Sequence, residues 1–157
     1  MRNDFSLRVY DAEQREVIEN IERFMGRRVM PEGRITEHFS WSEAECRHCR
    51  QLPPDLEPNV IATAEMAEKV RAHLGGQPMR ILSWFRCPEH NAEVGGAKNS
   101  MHLQGKAIDF VLKDMPPKHV QVKVEELQRE GIVGGLGSYS GFTHADTGPR
   151  RSWRGNY

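Results

Sequence analysis

Apolar residues recur at helical spacing in three stretches of the chain. Over residues 12–28, Val17, Ile18, Ile21, Phe24 and Met25 fall three and four apart with charges between them, and Gly26 stands near the end. That spacing predicts an amphipathic helix. Over 59–74, Val60, Ile61, Ala64, Ala67, Val70 and Leu74 gather on one face and Gly75-Gly76 stops the run, so a second helix is predicted there. A third opens at Pro116-Pro117, carries Val120, Val124 and Leu127 on its apolar side, and ends at Gly131. Shorter signals flank these. Ser40-x-x-Glu43 is the pattern of a capping box and predicts a short helix from Ser40 to about Cys46. The three prolines within 51–58 predict an extended loop, and 88–94 reads as a short helix or a turn.

Two stretches read as strands, 79–85 and 106–112, with an irregular loop over 95–100 between them. From Gly134 to the end, glycine-rich turns surround two short strands, the second near 142–147. Helices come early and strands late, without βαβ alternation. The class implied is α+β, a small antiparallel sheet with flanking helices.

Composition adds exclusions. A chain of 157 residues is about one domain's worth, and the patterning divides it into a helical extension over 1–34 and one domain over 35–157. Its 22 basic and 22 acidic residues cancel, which argues against a general electrostatic grip on nucleic acid or an anionic membrane. No apolar run approaches the ~20 residues of a membrane span, and the first residues lack the apolar core of a signal peptide. Three cysteines are too few for a disulfide framework. Cys46-Arg47-His48-Cys49 has the spacing of half a zinc site without a second such pair, so it reads as free thiols or a small disulfide, and Cys87 has no evident partner. His38, His48, His73, His90 and His119 sit in polar contexts and read as surface or locally satisfied residues.

Candidate chemistry concentrates in two segments far apart in the chain. Ser100-Met101-His102-Leu103-Gln104-Gly105-Lys106-Ala107-Ile108-Asp109 places a histidine in a loop and an aspartate on the strand after it, and Phe142-Thr143-His144-Ala145-Asp146 carries another histidine and aspartate. Strands deplete aspartate, so two of them here need a reason. Side chains alternate along a strand: Ala107, Asp109 and Val111 share one face, and Phe142, His144 and Asp146 share another. If both faces line one cavity, His102, Asp109 and His144 could form the three-ligand set, with an open position, that a catalytic Zn²⁺ uses.

The pattern Ser100-x-His102-x-x-Gly105-x-Ala107-x-Asp109, followed by Phe142-x-His144-x-Asp146, resembles the zinc D-Ala-D-Ala carboxypeptidase family, most closely its short single-domain branch in phage and bacterial genomes. The resemblance extends upstream through Ile81-Leu82-Ser83-Trp84-Phe85-Arg86-Cys87-Pro88-Glu89-His90-Asn91 and Val94-Gly95-Gly96-Ala97-Lys98-Asn99-Ser100, and covers about residues 35–155. It implies the hedgehog/DD-peptidase fold and a Zn²⁺ ion on His102, Asp109 and His144. It also implies that Arg86 is a catalytic and substrate-binding residue, either stabilising the tetrahedral oxyanion or holding a peptide carboxylate, that Ser100 contacts substrate, and that the chain hydrolyses peptidoglycan peptide bonds as a D,D-carboxypeptidase or endopeptidase. Two positions depart from the family pattern. Trp84 stands where a small residue is usual and could narrow the approach to Arg86, and Gly141 stands where many relatives carry the acid that serves as general base. Asp146 is then the nearest carboxylate, either as base or as a group that orients a neighbour. The alternative reading is a non-catalytic zinc-containing module that binds cell wall or serves a structural role. A monomer is expected, acting on the wall after release by lysis or by export.

Overall fold

The computed structural model describes residues 33–155, so the helix expected over 12–28 lies outside the described residues. The helices are α1 (Trp41–Ala44), α2 (Glu57–His73), α3 (Pro88–Glu93) and α4 (Pro117–Arg129), with 3₁₀ turns at Pro54–Leu56 and Met101–Gln104. The strands are β1 (Met79–Ser83), β2 (Ala107–Leu112), β3 (Gly135–Ser138), β4 (Thr143–Asp146) and β5 (Arg151–Arg154). Ser40 opens α1 as its spacing predicts: its N–H and its hydroxyl both reach Glu43 Oε1, at 2.9 and 3.0 Å. No helix among the described residues is long and apolar enough to cross a membrane.

The strands form one sheet in the order β1-β2-β4-β3-β5. The first three pairings are antiparallel, and β5 joins β3 in parallel. This last strand differs from the expectation of two short strands in an antiparallel sheet. Arg151-Ser152-Trp153-Arg154 lacks an apolar alternation, and its burial pattern shows one face of the strand half-covered and the other exposed. It lies at the sheet edge against Gly135-Leu136-Gly137, whose glycines read as a turn in the sequence. They are glycine because a neighbour occupies the space. A Cβ on Gly137 would lie 2.8 Å from the Trp153 ring and 2.9 Å from the Cβ of His144.

Alternation along the strands separates core from cleft. Ile108, Phe110 and Leu112 of β2, Ala145 of β4 and Leu136 of β3 join Val60, Ala64, Ala67 and Val70 of α2 and Val120, Val124 and Leu127 of α4 in one hydrophobic core. Each large side chain buried there contributes about 1.5–3 kcal/mol. Trp84 belongs to this core and does not narrow the cleft. It is fully buried, packs edge-on to Phe39 with ring centroids 6.3 Å apart, and donates its indole N–H to the Gly105 carbonyl at 3.1 Å. The opposite sheet face carries Asp109, His144 and Asp146.

Candidate metal centre

Register brings the candidate residues into one row. Ser83 pairs with Asp109, Asp109 with His144, His144 with Gly137, and Gly137 with Trp153, a line crossing all five strands. The same-face expectation for Asp109 and His144 thus resolves into a direct cross-strand pair. His102 reaches them from the 3₁₀ turn after the 95–100 loop. Ser100 caps that turn by accepting the His102 N–H at 3.2 Å, and Gly105 closes it with φ of 69°, a left-handed conformation suited to glycine.

Each imidazole is oriented from behind. His102 is 2% exposed, and its Nδ1 lies 2.6 Å from the Trp84 carbonyl. A carbonyl only accepts, so Nδ1 carries the proton and Nε2 is left with a lone pair. That Nε2 is buried without a hydrogen-bond partner and lies 3.2 Å from Asp109 Oδ2. His144 is held from both sides, with Nδ1 2.9 Å from Asp109 Oδ1 and Nε2 2.7 Å from Asp146 Oδ2. Burial alone would lower the His144 pKa, but the two carboxylates overcome it and raise the pKa. At His102 burial prevails and lowers it. Burial would raise Asp109, yet the neighbouring imidazoles, His102 foremost, hold its carboxyl well below the usual range.

A lone pair and a carboxylate oxygen facing each other at 3.2 Å repel unless a cation lies between them. One donor atom from each of His102, Asp109 and His144 falls within 4.8 Å of the other two, within reach of a single ion. Tetrahedral zinc, with bonds of about 2.0–2.1 Å to nitrogen and oxygen, separates its ligand atoms by about 3.3 Å. Two imidazoles and a carboxylate therefore fit zinc in donor type and in spacing.

Asp146 faces away from this cluster. Fully buried, it accepts five hydrogen bonds: from His144 Nε2, from the N–H groups of Gly135 (3.0 Å) and Gly148 (2.9 Å), and from both terminal nitrogens of Arg151 (3.0 and 2.8 Å). Burial would raise its pKa, but His144 and Arg151 hold it well below the usual carboxylate range. Arg151, in the last strand, thus supplies the ion pair behind His144, and Trp153 packs against the same imidazole with ring centroids 4.9 Å apart. The sequence signals for both were the glycines at 135 and 137, whose missing side chains make room for them.

Arg86 is tied into the cluster from the other side. Its Nε donates to Ser83 Oγ (3.2 Å), its Nη1 to Asn91 Oδ1 (3.1 Å) and its Nη2 to Asp109 Oδ2 (3.1 Å). Arg86, His102, Asp109 and His144 line the floor of a cleft of about 730 Å³, walled by the 94–101 loop on one side and by Tyr139, Phe142, Arg151 and Trp153 on the other. Asp109 is the only carboxylate residue among those lining it, and Gly141 contributes no side chain.

Residues 37–146 match the profile of the family described as Peptidase M15. A probable peptidoglycan L,D-endopeptidase MepK from Haemophilus influenzae is 48% identical to this chain over 109 residues, 64% of the chain and 55% of that protein. The peptidoglycan L,D-endopeptidase MepK of Escherichia coli K12 is 32% identical over 84 residues, 49% of the chain and 44% of that protein. The chain thus spans about half the length of these curated relatives. The five-stranded sheet, the helices on one face and the two-histidine, one-aspartate cluster on the other all lie within or beside the matched segment, and the chain belongs to the peptidase M15 family.

Proposed function

We propose that this domain is a zinc-dependent peptidoglycan endopeptidase that hydrolyses an L,D-peptide bond, with the ion held by His102 Nε2, Asp109 and His144 Nδ1. The peptidase M15 family is zinc-dependent in general. The observation that carries the reading is the orphaned lone pair of His102 Nε2, buried at the cleft floor and aimed at Asp109. A zinc ion there would supply Lewis acidity, making water acidic near neutral pH and polarising the scissile carbonyl. The protein's own groups do the rest. Trp84 O and Asp146 fix the imidazole tautomers from behind. Asp146, with five donors already satisfied, acts by orienting His144 and not as the base. Ser100 holds the turn that presents His102.

Cleavage within a peptide is favoured over removal of a terminal residue by the state of Arg86. A carboxypeptidase needs a cation that can grip the terminal carboxylate, best done by a two-pronged arginine. Arg86 has Nε and both terminal nitrogens committed to Ser83, Asn91 and Asp109, so it braces Asp109 and presents only its remaining N–H groups to a substrate oxygen. Digestion of purified peptidoglycan, with and without chelator and with products identified by mass spectrometry, tests the reading. Chelator-sensitive opening of L,D-cross-linked peptides is the expected result. Release of terminal D-alanine alone would replace it with a carboxypeptidase, and binding without hydrolysis would favour the non-catalytic module.

A further inference from the structure

A second cluster of metal-binding side chains lies outside the cleft. Cys46, Cys49 and Cys87 bring their sulfur atoms within 4.8 Å of one another, although 41 residues separate the first and last. The partner that Cys46-x-x-Cys49 lacks in the sequence is thus supplied by Cys87, which caps α3. Two imidazoles adjoin them. His48 Nδ1 lies 3.7 Å from Cys87 Sγ, and the His48 ring stacks on that of His90, with centroids 5.8 Å apart and planes at 7°. His90 Nδ1 is buried without a hydrogen-bond partner.

The backbone around the sulfurs is arranged for thiolates. The Cys87 N–H points at Cys46 Sγ and the His90 N–H at Cys87 Sγ, each at 3.4 Å. The chain around Cys46 closes into a tight turn, with Cys46 N–H on the Gln51 carbonyl at 3.0 Å and Arg50 N–H on the Cys46 carbonyl at 2.8 Å. Closing it forces Arg50, directly after Cys49, to φ of 58°, the one non-glycine residue in the left-handed region among those described. Such strain persists where the surroundings require it, and it is common at ligand sites.

We propose that Cys46, Cys49 and Cys87 hold a second, structural zinc ion, completed by one imidazole of the His48–His90 stack. Three thiolates and an imidazole are a closed donor set of the kind structural zinc takes, and bonds of about 2.3 Å to sulfur and 2.0–2.1 Å to nitrogen put neighbouring ligand atoms about 3.6–3.8 Å apart. The His48–Cys87 separation of 3.7 Å falls in that range. A disulfide between any two of the cysteines would leave the third thiol and both imidazoles unused. The ion would fasten the 46–51 turn to the residue directly after Arg86, fixing the corner from which Arg86 reaches Asp109.

Metal content of protein purified under reductant tests this without reference to activity. Wild type should carry two zinc ions per chain, and His102→Ala and the pair Cys46→Ser/Cys87→Ser one each. Loss in only one of these variants identifies which of the two sites is wrong. Since the serine pair could fail to fold, the His102→Ala protein is also loaded with Co²⁺. An intense thiolate-to-cobalt band in the near ultraviolet is expected, and its absence overturns the proposal. The pair His48→Ala/His90→Ala should weaken zinc at this site more than tenfold with all three thiols still present. Unchanged affinity in that pair, or a Cys46–Cys49 disulfide in the reduced preparation, overturns it as well.

Discussion

Replacing Asp146 by asparagine removes one oxygen and puts an amide group in its place, and the structure decides where that group goes. If it replaces Oδ1 it confronts the N–H groups of Gly135 and Gly148 and one nitrogen of Arg151, all of which donate to that oxygen. Leaving the two backbone donors unsatisfied costs about 2–6 kcal/mol. If it replaces Oδ2 it confronts His144 Nε2 and one nitrogen of Arg151. Arg151 is 38% exposed and can turn to water, while His144 can move its proton to Nδ1 and accept from the amide. The second arrangement costs about 1–2 kcal/mol and prevails. It also leaves the proton on the nitrogen that faces Asp109, where zinc would bind. Asp146→Asn should therefore weaken zinc by about 10–100-fold. The metal-free protein should lose about 2–8 °C in Tm, at about 2–4 °C per kcal/mol for a chain of this size. A competition titration against a chromogenic chelator measures the first, and thermal unfolding in chelator the second. Zinc affinity within twofold of wild type, combined with turnover lowered by about 10²–10⁴-fold, would refute this and make Asp146 the general base.

Other outcomes follow from the same contacts. His102→Ala should lose zinc from the cleft and all hydrolysis, and chelator should lower the Tm of wild type more than that of this variant, because zinc stabilises only the folded state that binds it. Gly137→Ala drives a methyl group to 2.8 Å from Trp153 and 2.9 Å from His144. Overpacking of this kind costs about 1–3 kcal/mol, and displacement of His144 should lower zinc affinity in the same protein, both readable by titration and unfolding. Glu68 anchors the 33–40 loop to α2 by accepting from the His38 N–H at 2.8 Å and meeting its Nδ1 at 2.7 Å. Burial would raise its pKa, but Thr36 and His38 bring it below the ordinary 4.5. A depressed carboxylate stabilises the fold above its unfolded pKa and loses that contribution as pH falls through its folded pKa. Glu68→Gln should therefore lower Tm at pH 7 by an amount that shrinks toward zero in acid below about pH 4, and a constant difference would contradict it.

What the sequence discloses and what it hides divide along the range of the interactions. Local rules suffice for α2 and α4, where apolar spacing and the Pro and Gly boundaries mark the ends to within about two residues. The two-residue period suffices to put Asp109 and His144 on faces that can meet. It does not reveal β5, whose reason for being a strand lies in Gly135 and Gly137 sixteen residues earlier, nor the Arg151–Asp146 pair that depends on it. Trp84 misleads for a related reason. Its neighbours differ, Ser83 pairing with Asp109 and Arg86 lining the cleft, and only the carbonyl of Gly105, 21 residues on, shows that the indole turns inward. The cysteines are the extreme case, since the partner of the 46–49 pair is a single residue 41 positions away.

The row from Ser83 to Trp153 takes one residue from each strand, so the cleft exists only when five separately folded segments share one register. Of the three cleft residues, only His102 and Asp109 lie near each other in a nascent or partly unfolded chain, while His144 lies 35 residues beyond Asp109. Slippage of β4 by one residue would exchange His144 for Ala145 and bury the imidazole in the core. A zinc ion held by His102, Asp109 and His144 would therefore reach full affinity only once the sheet is correctly threaded.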